Sequence, residues 1–283
     1  MENKWTIIAD SSGDLYSRDL TSDKIDFHTV PLEIMLESGN VVDDENLDVA
    51  DFVRKMGLNK SVAKTACPPP EKFAEIMRTG ENIIVVTISS KLSGTYDSAV
   101  LAATTVKKEF PDKKIYILDS LAATAGQARI LFEVARLINN TDLSFDEVVA
   151  QMIPYRDKTR TIFFLRNLTN LVKNGRMSKI VGLVAKFAKL KLVCCENGHG
   201  EIVKHGIALT SKKALNMLAA APIKKVAEEK QFPVVITHCF NETDANTLKE
   251  LLVANFNLTD IRVIQTRGLA SFYADKDGVV MGY

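Results

Sequence analysis

The stretch Asn82-Ile83-Ile84-Val85-Val86-Thr87-Ile88 runs without a break into Ser89-Ser90-Lys91-Leu92-Ser93-Gly94-Thr95-Tyr96, and then into apolar residues three and four apart as far as Phe110. A run of β-branched residues, a hydroxyl-rich turn and a helical period, in that order, describe a buried strand delivered into a helix. Such a junction aims backbone N–H groups and the positive end of a helix at one spot, where anions bind. A purely structural reading also stands, with Ser93 as a helix cap and Ser89 and Ser90 filling the loop.

The same alternation recurs along the chain. Trp5 to Ala9, Ile25 to Val30, Lys114 to Leu118, Thr161 to Leu165, Val234 to Thr237 and Ile261 to Gln265 read as further strands. Tyr96 to Phe110, Leu121 to Ile138, Phe145 to Tyr155, Ser211 to Glu229 and Asp244 to Phe256 carry helical spacing. The segment from Cys194 to Val203 reads as a hairpin turning at Asn197-Gly198. The expectation is an α/β protein of two domains. Residues 1–155 form an N-terminal parallel sheet flanked by helices, and 156–283 a C-terminal mixed sheet with helices, divided where polar residues punctuate the chain near residue 156.

Composition narrows the function classes. The 283 residues include 36 Lys+Arg and 35 Asp+Glu, a net charge of +1, with 46% hydrophobic residues. That balance carries no footprint for nucleic acid or for an anionic membrane, and it excludes disorder. No apolar run approaches the ~20 residues of a membrane span, and Met1-Glu2-Asn3-Lys4-Trp5 carries no leader pattern, so a cytoplasmic monomer without stable membrane insertion is expected. Cys67, Cys194, Cys195 and Cys239 lack metal or redox spacing and read as structural thiols.

Other candidates flank the central junction. In Lys64-Thr65-Ala66-Cys67-Pro68-Pro69-Pro70 the prolines fix an extended chain that holds Thr65, although a plain helix-entry turn reads equally well. Asp10-Ser11 and Asp119-Ser120 each follow a strand, where open α/β sheets place ligand-contacting turns, and where Asp and Ser also serve simply as caps. Arg176, after Asn174-Gly175, puts a guanidinium at a turn, a place where most arginines are only solvated. Phosphate-loop, dinucleotide, zinc-protease and nucleophile-elbow motifs are absent. His238, directly after a strand, is the one plausible general base, so Ser93 with His238 remains as a hydrolase or acyltransferase reading.

In order, Asp10-Ser11, Thr65-Ala66-Cys67-Pro68, Ser89-Ser90-Lys91-Leu92-Ser93-Gly94-Thr95-Tyr96, Asp119-Ser120 and Gly175-Arg176-Met177-Ser178 resemble the DegV family of bacterial fatty-acid-binding proteins over nearly the whole chain. The resemblance implies a long-chain, palmitate-like fatty acid between the domains and no cofactor. Its carboxylate would be held by Thr65 and Ser93, with Gly94, Ser11, Ser120 and Arg176 nearby. It also implies a carrier rather than an enzyme, one that presents the acid to a fatty acid kinase catalytic subunit. Ala66-Cys67 stands where the family often has Ser-Gln, and Leu192-Val193 where Lys-Pro is common. The family's C-terminal His-x-Gly-Pro-Gly element is replaced around Thr266-Arg267-Gly268-Leu269-Ala270, which raises Arg267 as a substitute anion contact.

Overall fold

Strand β1 (Trp5–Asp10) pairs on one side with β2 (Ile25–Val30) and on the other with β6 (Asn82–Thr87), which pairs in turn with β7 (Lys114–Asp119). Every pair is parallel. Parallel neighbours need crossovers, and helices on the sheet bury both faces, which is why these strands are nearly unbroken apolar runs. The computed structural model describes residues 4–58, 63–177, 190–229 and 233–283.

A second sheet has the order β10 (Ile202–Ala208), β9 (Lys191–Glu196), β8 (Thr161–Phe164), β13 (Val279–Gly282), β11 (Val234–His238), β12 (Ile261–Gln265). Only β11 and β12 run parallel within it, so the sheet is mixed, as the Asn-Gly hairpin suggested. The hairpin turn is closed by the Asn197 N–H donating to Glu201 O at 3.1 Å, while Gly198 and Gly200 sit at φ 84° and 83°. That left-handed region favours glycine.

Helix α5 (Ala125–Asn140) joins the two sheets. Its Ile130, Leu131 and Val134 share one buried cluster with Ile7, Ile84 and Val86 of the first sheet and with Phe163 and Val280 of the second. Contact with the second sheet is close enough that a Cβ at Gly126 would lie 2.2 Å from Thr161 Oγ1. The spacing placed this helix from Leu121, but it starts four residues later. Residues 121–124 form a loop instead, with Leu121 at φ 54° and Thr124 at φ 51°, conformations that each cost on the order of 1–3 kcal/mol. Pro222 likewise interrupts the expected helix from Ser211 to Glu229, leaving α8 (Ser211–Ala220) and α9 (Ile223–Glu228).

Several short elements lie outside the sequence expectations, β13 among them. A small antiparallel sheet of β4 (Gly39–Val42), β3 (Glu33–Leu36) and β5 (Lys64–Ala66) sits beside the parallel one. Helix α6 (Phe145–Lys158) runs through residue 156 before the chain enters β8. Helix α11 (Gly268–Ala274), near the C-terminus, crosses back, and its Leu269 and Phe272 join Leu32, Ile34 and Phe52 in one buried cluster. Among the described residues no helix is long and apolar enough to cross a membrane. Cys194 and Cys239 are buried as expected, whereas Cys67 is exposed.

Candidate functional site

The loop after β6 is held from behind by two strand-end aspartates. Asp10 Oδ2 accepts the Ile88 N–H at 2.6 Å, and Asp119 Oδ1 accepts the N–H groups of Ser90 at 3.1 Å and Leu121 at 3.0 Å. Ser89 anchors the turn itself, since its carbonyl accepts the N–H groups of Leu92 and Ser93 and its hydroxyl donates to Gly200 O at 2.9 Å across to the hairpin. Gly94 then caps α4 (Thr95–Glu109), and the Ser93 hydroxyl lies 2.9 Å from Thr95 Oγ1.

That loop forms one wall of a cavity with about 870 Å³ of empty space, its opening to solvent included. Ile88 and Leu92 line it together with Phe163 and Val280 of the second sheet and Leu165 just past β8, and the strained 121–124 loop, Leu32, Leu269 and Ala270 complete a mainly apolar lining. Thr65, Ser93, Arg176 and Tyr273 also line it, and all four are only half-buried. Thr65 Oγ1 is 2.8 Å from Tyr273 Oη, and the Arg176 guanidinium lies 6.0 Å from the Tyr273 ring centre. Arg176 Nε donates to Leu92 O at 3.0 Å, next to Ser93, and Nη1 donates to Asn174 O at 2.7 Å. These contacts join four separate segments into one polar group.

Local folding explains how each side chain arrives. Thr65 sits in β5 opposite Ile34. Arg176 follows the end of α7 (Thr169–Lys173), where Gly175 at φ 75° donates to Val172 O and the Arg176 N–H reaches back to Leu171 O. This paired bonding is the usual glycine-terminated helix end, and it turns Arg176 toward the cavity instead of into water. Burial is the main influence on the Tyr273 phenol and raises its pKa, while the Thr65 hydrogen bond and the Arg176 charge oppose that rise.

Thr65, Ser93 and Arg176 therefore meet on one cavity wall, with Gly94 beside them at the α4 N-terminus. Ser11 and Ser120 do not reach it, and their strand-end placement reflects turn building. Ser11 Oγ accepts the Leu32 N–H at 3.1 Å, and Ser120 bonds Ala122 at both its N–H and its carbonyl. Ser12, a neighbour that spacing did not single out, lines the cavity, with its hydroxyl 2.6 Å from Asp10 Oδ1. Arg267 does not line the cavity either. It is fully buried, donating to Leu15 O at 2.6 Å and Asp43 O at 2.7 Å. Tyr273 was missed because α11 is seven residues long; the run Leu269-Ala270-Ser271-Phe272-Tyr273 after a strand was the available signal.

Ser93 and His238 are not joined as nucleophile and base. No histidine lines the cavity among the described residues, and His238 Nδ1 instead accepts the Asn241 N–H at 3.2 Å. Burial lowers the His238 pKa. Among the described residues no group of His, Cys, Asp or Glu side chains could hold a metal ion.

Fold and site together define an α/β protein whose two sheets enclose a mainly apolar cavity, with the half-exposed cluster of Thr65, Ser93, Arg176 and Tyr273 on one wall and the Glu196 and Glu201 carboxylates of the hairpin also in its lining. The chain belongs to the DegV family, whose model, described as "Uncharacterised protein, DegV family", matches residues 4–281. A DegV domain-containing protein of Streptococcus pyogenes serotype M3 is 35% identical over 281 residues, 99% of each chain. The Streptococcus pneumoniae Fatty Acid Kinase (Fak) B3 protein loaded with linoleic acid matches with a TM-score of 0.93 and 34% identity, over 99% of each chain. A DegV family protein from Eubacterium eligens loaded with heptadecanoic acid matches at 0.90 with 28% identity, over 98% of each chain.

Proposed function

We propose that this protein is a non-catalytic carrier of a long-chain fatty acid, which it presents to the catalytic subunit of a fatty acid kinase. The observation that carries this reading is the cavity itself, apolar over most of its lining, with half-exposed Thr65, Ser93, Tyr273 and Arg176 gathered on one wall. An amphiphile with one anionic end matches that distribution. The solved relatives loaded with linoleic and heptadecanoic acids, one of them a fatty acid kinase B protein, support the same ligand class.

The two ends of such a ligand do different work. Burying a chain of about fifteen methylenes at ~0.8 kcal/mol each gives on the order of 12 kcal/mol before entropy costs, against ~1.5–3 kcal/mol for a charge-assisted hydrogen bond. The tail supplies affinity. Ser93 and Thr65, with the Gly94 N–H at the helix start and the Arg176 charge beside them, set orientation and favour the ionised carboxylate. Placing the carboxylate at the half-exposed cluster leaves it accessible to a second protein that transfers phosphate to it.

Two assays test this. Titration with palmitate gives tight one-to-one binding if the reading holds, and no saturable binding contradicts it. Adding a fatty acid kinase catalytic subunit and ATP to the loaded protein yields acyl phosphate if presentation holds. Tight binding without any acyl phosphate would restrict the role to transport.

A further inference from the structure

A threonine hydroxyl has one proton. If Thr65 donates that proton to a bound carboxylate, its oxygen is free to accept a hydrogen bond from elsewhere, and a donor placed there locks the hydroxyl in the useful rotamer. Tyr273 Oη occupies that place, 2.8 Å from Thr65 Oγ1. A phenol is the stronger donor of the two, and burial keeps this one protonated.

The pair is rigid on both sides. Thr65 is fixed by its ladder position opposite Ile34, and the neighbour of Tyr273, Phe272, is fully buried in the cluster that contains Ile34. The Tyr273 and Phe272 rings meet edge to face, with centres 4.8 Å apart. The start of α11 is clamped as well: Asp43 accepts the N–H groups of Gly268 at 2.8 Å and Leu269 at 2.9 Å, and Asp14 accepts that of Arg267 at 2.8 Å. Tyr273 is therefore held in register with Thr65 before any ligand arrives.

Resting on the carrier reading above, we propose that Tyr273 is a positioning residue for the head group, donating to Thr65 Oγ1 so that Thr65 donates to the carboxylate. It acts through Thr65, fixing which way that hydroxyl points.

The test is a double-mutant cycle on palmitate affinity with Tyr273→Phe, Thr65→Ala and the double variant, and thermal unfolding confirms that each is folded. Tyr273→Phe should weaken binding about tenfold in the wild-type background and have no effect in the Thr65→Ala background. Thr65→Ser, which restores the hydroxyl, should restore sensitivity to Tyr273→Phe. Unchanged affinity in Tyr273→Phe, or losses that simply multiply in the double variant, overturns the proposal while leaving the carrier reading intact. Full affinity in Thr65→Ala overturns both the assignment of Thr65 to the carboxylate and this proposal with it. Absence of palmitate binding in the unaltered protein refutes the carrier reading itself.

Discussion

Two polar clusters touch helix α11, and they differ in access to solvent. Thr65, Ser93, Arg176 and Tyr273 are half-exposed and open onto the cavity. Asp14, Asp43 and Arg267 are 0% exposed, sealed beneath the start of the same helix, with the Arg267 guanidinium 4.6 Å from the centre of the Tyr16 ring. Charge alone therefore does not mark a ligand site. Arg267 directs its bonds to Leu15, Asp43 and Thr29, whereas Arg176 is held by two carbonyls at the edge of an empty space. The sealed cluster is architecture, and the open one is available for recognition.

The two clusters should fail differently. Arg267→Ala leaves two buried carboxylates without their cation, so denaturation should show a loss of about 3–5 kcal/mol, and a change below about 1 kcal/mol would mean the sealed cluster is not holding α11. The double variant Thr65→Ala, Ser93→Ala should keep wild-type stability but lose about 3 kcal/mol of palmitate affinity, on the order of 10²-fold in a titration. Equal stability loss in both variants would erase the distinction.

Acidity sharpens it further. Burial raises the Asp43 carboxyl from the ordinary 3.8 to about 6, with Arg267, the α11 amides and the Ser11 hydroxyl opposing, and burial raises Asp14 as well. Between about pH 4 and pH 6 the folded chain therefore holds protons that the unfolded chain has released, so this cluster favours folding at acid pH and that benefit is lost as pH rises. For Asp43 the loss amounts to about 2–3 kcal/mol. Exposed pairs such as Arg78–Glu109 pull the other way, but solvent screens them. Urea denaturation across that range should show the slope, flattened in Asp14→Asn; an unchanged slope in that variant counts against the assignment. Alanine at Ser11, which also bonds the buried Asp43, should cost more than about 1 kcal/mol of stability, and the smallest effect is expected at Ser120, at about 1 kcal/mol; neither should change ligand affinity.

Much of this was legible in the sequence because long elements carry periodicity. The parallel strands, the Asn-Gly hairpin and most of the second sheet follow from apolar runs with clear turns between them, but β13, which bridges β8 and β11, has no counterpart in those expectations. The three- and four-residue strands β5 and β3 and the seven-residue α11, which place Thr65 and Tyr273, left no such trace. Tertiary packing also overrode local preference: the helical period continues back to Leu121, yet the chain there bends into the strained cavity loop. The strand-end Asp-Ser pairs pointed to the right region but exchanged roles. Asp10 and Asp119 brace the Ser93 loop from behind, while Ser11 and Ser120 satisfy backbone groups. Spacing alone cannot separate the wall of a site from its support, because both occupy strand ends.

The central claim, that the cavity encloses a fatty acid, is tested most directly by denaturing the purified protein and weighing the small molecules released. The account predicts about one C14 to C18 fatty acid per chain, reduced in amount in the Thr65→Ala, Ser93→Ala variant. A protein that releases nothing, and that takes up no fatty acid when incubated with one, would contradict it.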